Sequence, residues 1–232
     1  MRWEHGSLGL GFILLGIAHY MGLFVAPSDA MMGDVGRIFY AHVPTAWVAL
    51  VMLTASFVGA VGSLWNGRYT WDAATTALAE VGTVLTGLLL FQGAIWAKPT
   101  WGVFWSWDPR LTSSAVLFVM FVAVLILRRV VDSPERRLTV TAIATIVAFV
   151  DVPIVYMSVK WWNSLHQTPS SPKTVSDTMH LPLRMAAFAM LFIAIGIAVT
   201  RWRTIMAGLT LEAAAPDLPT RAPTLSLREE GA

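Results

Sequence analysis

The chain has 232 residues, 56% of them hydrophobic and only 13% charged, with a net charge of +2 and no cysteine. A soluble domain carries roughly 25% charged residues, so this composition belongs to a membrane. The small charge, with no basic stripe, excludes a nucleic-acid partner. The missing thiols exclude disulfides, thiolate metal centres and thioether-linked prosthetic groups, but leave histidine-ligated metals open.

Six nearly charge-free runs follow one another along the chain, each close to the roughly 17–25 residues that cross a bilayer as a helix. They predict an all-α polytopic membrane protein with six transmembrane helices near 8–26, 43–64, 76–96, 112–128, 138–159 and 182–200. The first run contains His19. Before the second, RIFYAHVP brings Arg37 and His42 to the point where Pro44 opens the helix. Glu80 sits near the start of the third and reads as interfacial. Between the third and fourth runs lies WGVFWSWDPRLT, in which Asp108 and Pro109 form an N-cap and first-position pair for the fourth helix. The fifth run carries Asp151 two residues before Pro153. That carboxylate reads either as a partner for backbone groups freed by a proline kink or as a group facing water. PIVYMSVKWWNSLHQ then leads into a segment holding His166 and His180. The expected organisation is one membrane domain, 1–203, with a tryptophan-rich segment at 97–112, and a disordered Pro- and Ala-rich tail at 204–232.

Six spans put both termini on one side, and arginine bias chooses which. Arg2, Arg68, Arg128, Arg129, Arg136, Arg137, Arg201, Arg203, Arg221 and Arg228 fall on the terminal side; Arg37, Lys98, Arg110, Lys160, Lys173 and Arg184 fall on the other. By the positive-inside rule the termini are cytoplasmic, and segments 27–42, 97–111 and 160–181 are outer-face loops.

The chain has eleven tryptophans. Trp47, Trp96, Trp101, Trp105, Trp107, Trp161 and Trp162 lie at the outer ends, whereas Trp3, Trp65, Trp71 and Trp202 lie at the inner ends. An aromatic belt decorates both interfaces; an outward excess also suits a ledge that stacks on something flat. In a helix, Trp101, Phe104 and Trp105 share one face. His42 and His166 flank that ledge from the neighbouring outer segments, and two imidazoles beside aromatic rings suit a flat apolar ligand with two axial metal positions, namely haem. Its propionates need cations, for which Arg37, Lys98, Arg110, Lys160 and Arg184 are the outer candidates.

With GAIWAKPT before it, WGVFWSWDPRLT resembles the WWD signature of membrane haem-handling proteins of cytochrome c maturation. RIFYAHVP and PIVYMSVKWWNSLHQ stand on either side in matching order, so the chain is similar to the haem exporter protein C (CcmC) family over roughly residues 35–200. The resemblance implies a bacterial inner-membrane, multi-pass protein that binds b-type haem non-covalently and transiently at its periplasmic face. It implies axial ligation by His42 and His166. Further contacts are expected from Trp101, Gly102, Phe104, Trp105, Trp107, Asp108, Arg110, Trp161 and Trp162. It also implies an export complex with ATP-binding cassette transporter subunits, contact with membrane lipid, and delivery of haem to a periplasmic haem chaperone, a transfer role instead of an enzymatic one. Phe104 stands where the family commonly has tryptophan, and Pro109 where a small residue is expected. Two other classes compete: a bis-histidine cytochrome, which encloses its haem between helices where only His19 clearly sits, and a cofactor-free permease, for which Asp151 with Pro153 is the single hint.

Overall fold

The computed structural model of the chain describes residues 2–167 and 175–214. Six segments are long and apolar enough to cross a membrane: Trp3–Val25, Asp34–Asn66, Tyr69–Trp101, Pro109–Val130, Pro134–Trp161 and Asp177–Ala214. Their helices are α1 (Trp3–Tyr20, continued by a π-helical turn, Met21–Val25), α2 (Phe39–Asn66, entered through a 3-10 turn, Asp34–Ile38), α3 (Tyr69–Trp101), α4 (Pro109–Val130), α5 (Pro134–Phe149), α6 (Asp151–Trp161) and α7 (Asp177–Ala214). Apart from one bridge between Asp29 and Gly33, no β pairing occurs among the described residues.

Each spanning segment is longer than its apolar run because hydropathy marks only the part suited to hydrocarbon, and polar caps start α4 and α5. Asp108 accepts a hydrogen bond from the Arg110 amide at 2.9 Å with Pro109 next to it, as expected. Ser133 and Pro134 start α5 in the same way. The largest revision is at the C-terminal end: α7 continues to Ala214, eleven residues into the stretch expected to be disordered from 204. Those residues are anchored by an Arg137–Glu212 ion pair. The remainder of the expected tail, with Arg221 and Arg228, lies outside the described residues, as does Lys173.

The fifth span is broken. Pro153 has no N–H for the Phe149 carbonyl, and its ring crowds that carbonyl; α5 stops at Phe149 and α6 restarts at Asp151. Asp151 is buried, and its Oδ2 finds no hydrogen-bond partner among the described residues, so that oxygen makes none of the expected repairs to the backbone.

α2 occupies the centre. On one side Leu53 joins Ala79, Leu117, Phe121, Val124, Ala148, Val152 and Val155; on the other Val48 and Met52 join Val81, Ala194 and Ala198. α1 packs chiefly against α7. At the end of the bundle opposite the 97–111 segment, ion pairs tie the helices together. Arg128 grips Asp72 with both terminal nitrogens at 2.6 and 2.7 Å, Arg201 grips Glu80 at 2.6 and 2.9 Å, and Arg203 reaches the buried Glu4 at 2.9 Å. Glu80 is therefore a pairing group for α7 and not merely an interfacial one.

Candidate haem site

At the tryptophan-rich end, α2, α3, α4 and α6 part around a cavity of about 620 Å³. Its depth follows from the helical rise of about 1.5 Å per residue. Leu50 lies two turns below His42 and Leu117 two turns below Pro109, so the cavity runs on the order of 12 Å into the bundle between largely apolar walls. Its mouth is edged by His42, Trp101, Trp105, Arg110, Leu165 and His166.

His42 is not on a loop. The 3-10 turn and α2 begin before Pro44, so His42 is the fourth residue of α2, 8% exposed. Its ring and that of Trp96 meet edge to face, with centroids 5.4 Å apart at 76°. Beside it Gly93 leaves the necessary room: a Cβ there would stand 3.3 Å from His42 Cε1. His42 Nδ1 is buried without a partner among the described residues.

His166 lies on the loop after α6, and that loop is fastened by Asp108. The carboxylate accepts from Ser164 Oγ at 2.9 Å and from the Leu165 amide at 2.6 Å, while the His166 amide donates to Ser164 Oγ at 3.0 Å. His166 Nδ1 lies 2.9 Å from the Gln167 carbonyl. A ring N–H donated there leaves the lone pair on Nε2, the usual arrangement of a metal-ligating histidine. Burial, with a smaller contribution from Arg110, holds the His166 pKa below the ordinary value against the opposing Gln167 hydrogen bond and Asp108 charge, so the ring is neutral and competent as a ligand.

The two imidazoles lie with centroids 6.4 Å apart and planes tilted by 33°. An iron midway between two nitrogens, at the roughly 2 Å bond usual for imidazole on a transition metal, holds ring centres roughly 6 Å apart. The spacing matches. A bare metal ion takes three or four protein ligands, and no group of three His, Cys, Asp or Glu converges among the described residues. A porphyrin iron needs only two. These residues fit haem.

The predicted aromatic ledge divides. α3 ends at Trp101, where Gly102 turns the chain at φ +79, so Trp101, Phe104 and Trp105 do not share a helical face. Trp101 and Trp105 line the cavity; Phe104, Trp107, Trp161 and Trp162 do not and are 59%, 82%, 56% and 50% exposed. Trp105 meets Trp107 edge-on at 5.8 Å, which links the two groups. The cations divide too. Arg37 is committed to the Gly22 and Ala26 carbonyls at the end of the first span and to Asp34. Lys98 holds the Gly102 carbonyl. Of the candidate cations among the described residues, Arg110 lines the cavity, its Nη1 donating to the Val155 carbonyl at 3.0 Å. His5, His19 and His180 stand away from the cavity; His19 bonds the Leu15 carbonyl.

Trp47, Gly93 and Trp96 in the cavity wall are additions to the predicted set. For Gly93 the available signal is a stripe at helical spacing, Thr86, Leu89, Leu90, Gly93, Ala97 and Trp101, which crosses the end near 96 expected for the third helix. α3 runs through Pro99, whose missing N–H costs only one bond in the last turn.

Comparison with known proteins decides the family. The family model of heme exporter protein C, CcmC, matches residues 2–215. The chain belongs to the CcmC family. It is 35% identical to heme exporter protein C of Bradyrhizobium diazoefficiens over 82% of this chain and 74% of that one. It is 33% identical to heme exporter protein C of Escherichia coli over 84% and 80%. It is also 34% identical to a putative cytochrome c biosynthesis ccmC-like mitochondrial protein of Marchantia polymorpha, over 81% and 79%. The CcmC match spans all six apolar segments, and the paired histidines, Trp101, Trp105 and Asp108 fall inside it.

Proposed function

We propose that this chain takes up haem as cargo at the periplasmic face of a bacterial inner membrane and passes it to a periplasmic haem chaperone during c-type cytochrome biogenesis. It does so without catalysing a reaction of its own, in an export complex with ATP-binding cassette subunits and surrounded by lipid. The observation that carries this reading is the pair of imidazoles 6.4 Å apart at the mouth of an apolar cavity. His42 and His166 supply the axial bonds; Trp101 and Trp105 flank the porphyrin, and Arg110 offers charge to a propionate. Phe104, Trp107, Trp161 and Trp162, turned outward, suit contact with lipid headgroups or the receiving chaperone. Both termini are cytoplasmic in this orientation.

The contrast between the ligands supports delivery over electron transfer. His42 is fixed in a helix, whereas His166 rides on a loop, so one iron bond can be surrendered without disturbing a span. An electron carrier has no use for such a release.

The test is replacement of either ligand by glycine in the purified protein. His42→Gly and His166→Gly should each lose most of the six-coordinate, low-spin haem spectrum, and added imidazole should restore it by entering the gap. His180→Gly should change neither. Unaltered spectra in both ligand variants would sink the assignment.

A further inference from the structure

We propose that Asp108 is a positioning residue for His166, acting through the loop 164–166 instead of touching haem. The proposal rests on the haem-site reading above and specifies the role of the acidic residue in the tryptophan-rich segment. Asp108 is 5% exposed, does not line the cavity, and has both carboxylate oxygens engaged. Oδ1 accepts from the Arg110 amide at 2.9 Å and Ser164 Oγ at 2.9 Å; Oδ2 accepts from the Leu165 amide at 2.6 Å. Ser164 Oγ in turn accepts the amide of His166. One carboxylate thus pins the start of α4 and, 56 residues on, the loop whose next residue is the ligand.

The alternatives on the loop are few. No regular secondary structure holds residues 162–167, and Trp162, Asn163, Leu165 and Gln167 are exposed, so apolar packing does little to fix the imidazole. The Asp108 bonds and the Gln167 carbonyl do that work. A ligand on a loop keeps its freedom to leave only if its anchor is separable from the iron, and an anchor in the segment 97–112 lets movement of that segment move the ligand. Outer supports of metal ligands change affinity by about 10–100-fold when removed.

Asp108→Ala should therefore reproduce His166→Gly. Haem affinity should fall about ten-fold or more, the low-spin spectrum should be lost, and imidazole should restore it. Added to His166→Gly, the same change should cost little more, because the residue it serves is already gone. Asp108 also caps α4, so Ser164→Ala supplies a second variant that leaves the cap intact; it should give a smaller loss with the same imidazole rescue. A haem loss in Asp108→Ala that imidazole does not repair and that adds fully to His166→Gly, with Ser164→Ala behaving as the unaltered protein, overturns the proposal. His166→Gly measured alongside separates the two claims, since a normal spectrum there rejects the ligand assignment and not the anchor.

Discussion

The Asp72–Arg128 pair gives the sharpest energetic test of how this bundle is held. Asp72 near the start of α3 is 3% exposed at its side chain and Arg128 near the end of α4 is 11% exposed, and two charge-assisted bonds of 2.6 and 2.7 Å join them. Removing one member leaves a buried charge without compensation, which costs about 3–5 kcal/mol. Replacing both by apolar residues removes the charge together with its partner and should cost far less. Arg137–Glu212 has side chains 18% and 50% exposed and should contribute at most about 1 kcal/mol. α3 and α4 are the helices joined by the tryptophan-rich segment, so loosening their far ends should also lower haem retention. Equilibrium unfolding in detergent, with haem content measured on the same samples, reads both effects for Asp72→Ala, Asp72→Leu with Arg128→Leu, and Glu212→Ala. If the double variant is as unstable as the single, or Glu212→Ala as costly as Asp72→Ala, the argument from burial is wrong.

Three further outcomes follow from the site and the orientation. Gly93→Ala should keep the low-spin spectrum but weaken haem binding by less than about ten-fold, since the new Cβ at 3.3 Å only nudges the His42 ring; Gly93→Leu should abolish binding, and equal behaviour of the two in a haem titration counts against the tight fit. Because His166 has a pKa held below its ordinary value, the neutral ring persists as pH falls through about 6.5. Haem retention should be flat there and fall only at lower pH, and a midpoint at or above about 6.5 in a spectroscopic pH titration refutes this. For the haem-free protein the sign is the same, since the unfolded chain takes the proton first and stability drops as pH falls below that point. Cysteine at Met31, which is 95% exposed at the tryptophan-rich end, should react with an impermeant thiol reagent added from the periplasmic side, whereas cysteine at Asp132 should not; the reverse labelling inverts the site.

The six spans and the histidine pair were legible because each rests on a local signal: length of apolar run, and an imidazole beside a proline or a tryptophan pair. What escaped was what depends on a second segment. Nothing near Glu80 or Asp72 announces Arg201 or Arg128, 121 and 56 positions away, so Glu80 looked like an interfacial charge and Asp72 gave no signal. Arg37 looked as free as Arg110 although Asp34 stands three residues before it, because its other partners, the Gly22 and Ala26 carbonyls, lie at the π turn that ends the first span. The i, i+3, i+4 spacing of a presumed helix put Phe104 with Trp101 and Trp105, but one glycine at positive φ turned the backbone between them. Asp108 was read correctly as a cap and incompletely, since its other bonds are made to a loop that local pattern cannot reach.

The two ends of the bundle are held by different chemistry, and the difference suits a protein that must give up its cargo. At one end, helix is tied to helix by paired charges, and in two of these pairs, Asp72–Arg128 and Glu4–Arg203, the carboxylate is buried. Such pairs are costly to break singly, so that end has little cause to open. At the other end the ring of His166 depends on neutral or singly charged hydrogen bonds to a short loop, each of the order of 1–3 kcal/mol. Under the proposed function, an iron bond to His166 would be exchanged for one supplied by a receiving protein by rearranging a few residues around Asp108, while His42, Trp96 and Gly93 keep their places on α2 and α3. On that reading haem would never be without a ligand during transfer, and the spans around the cavity would not need to move.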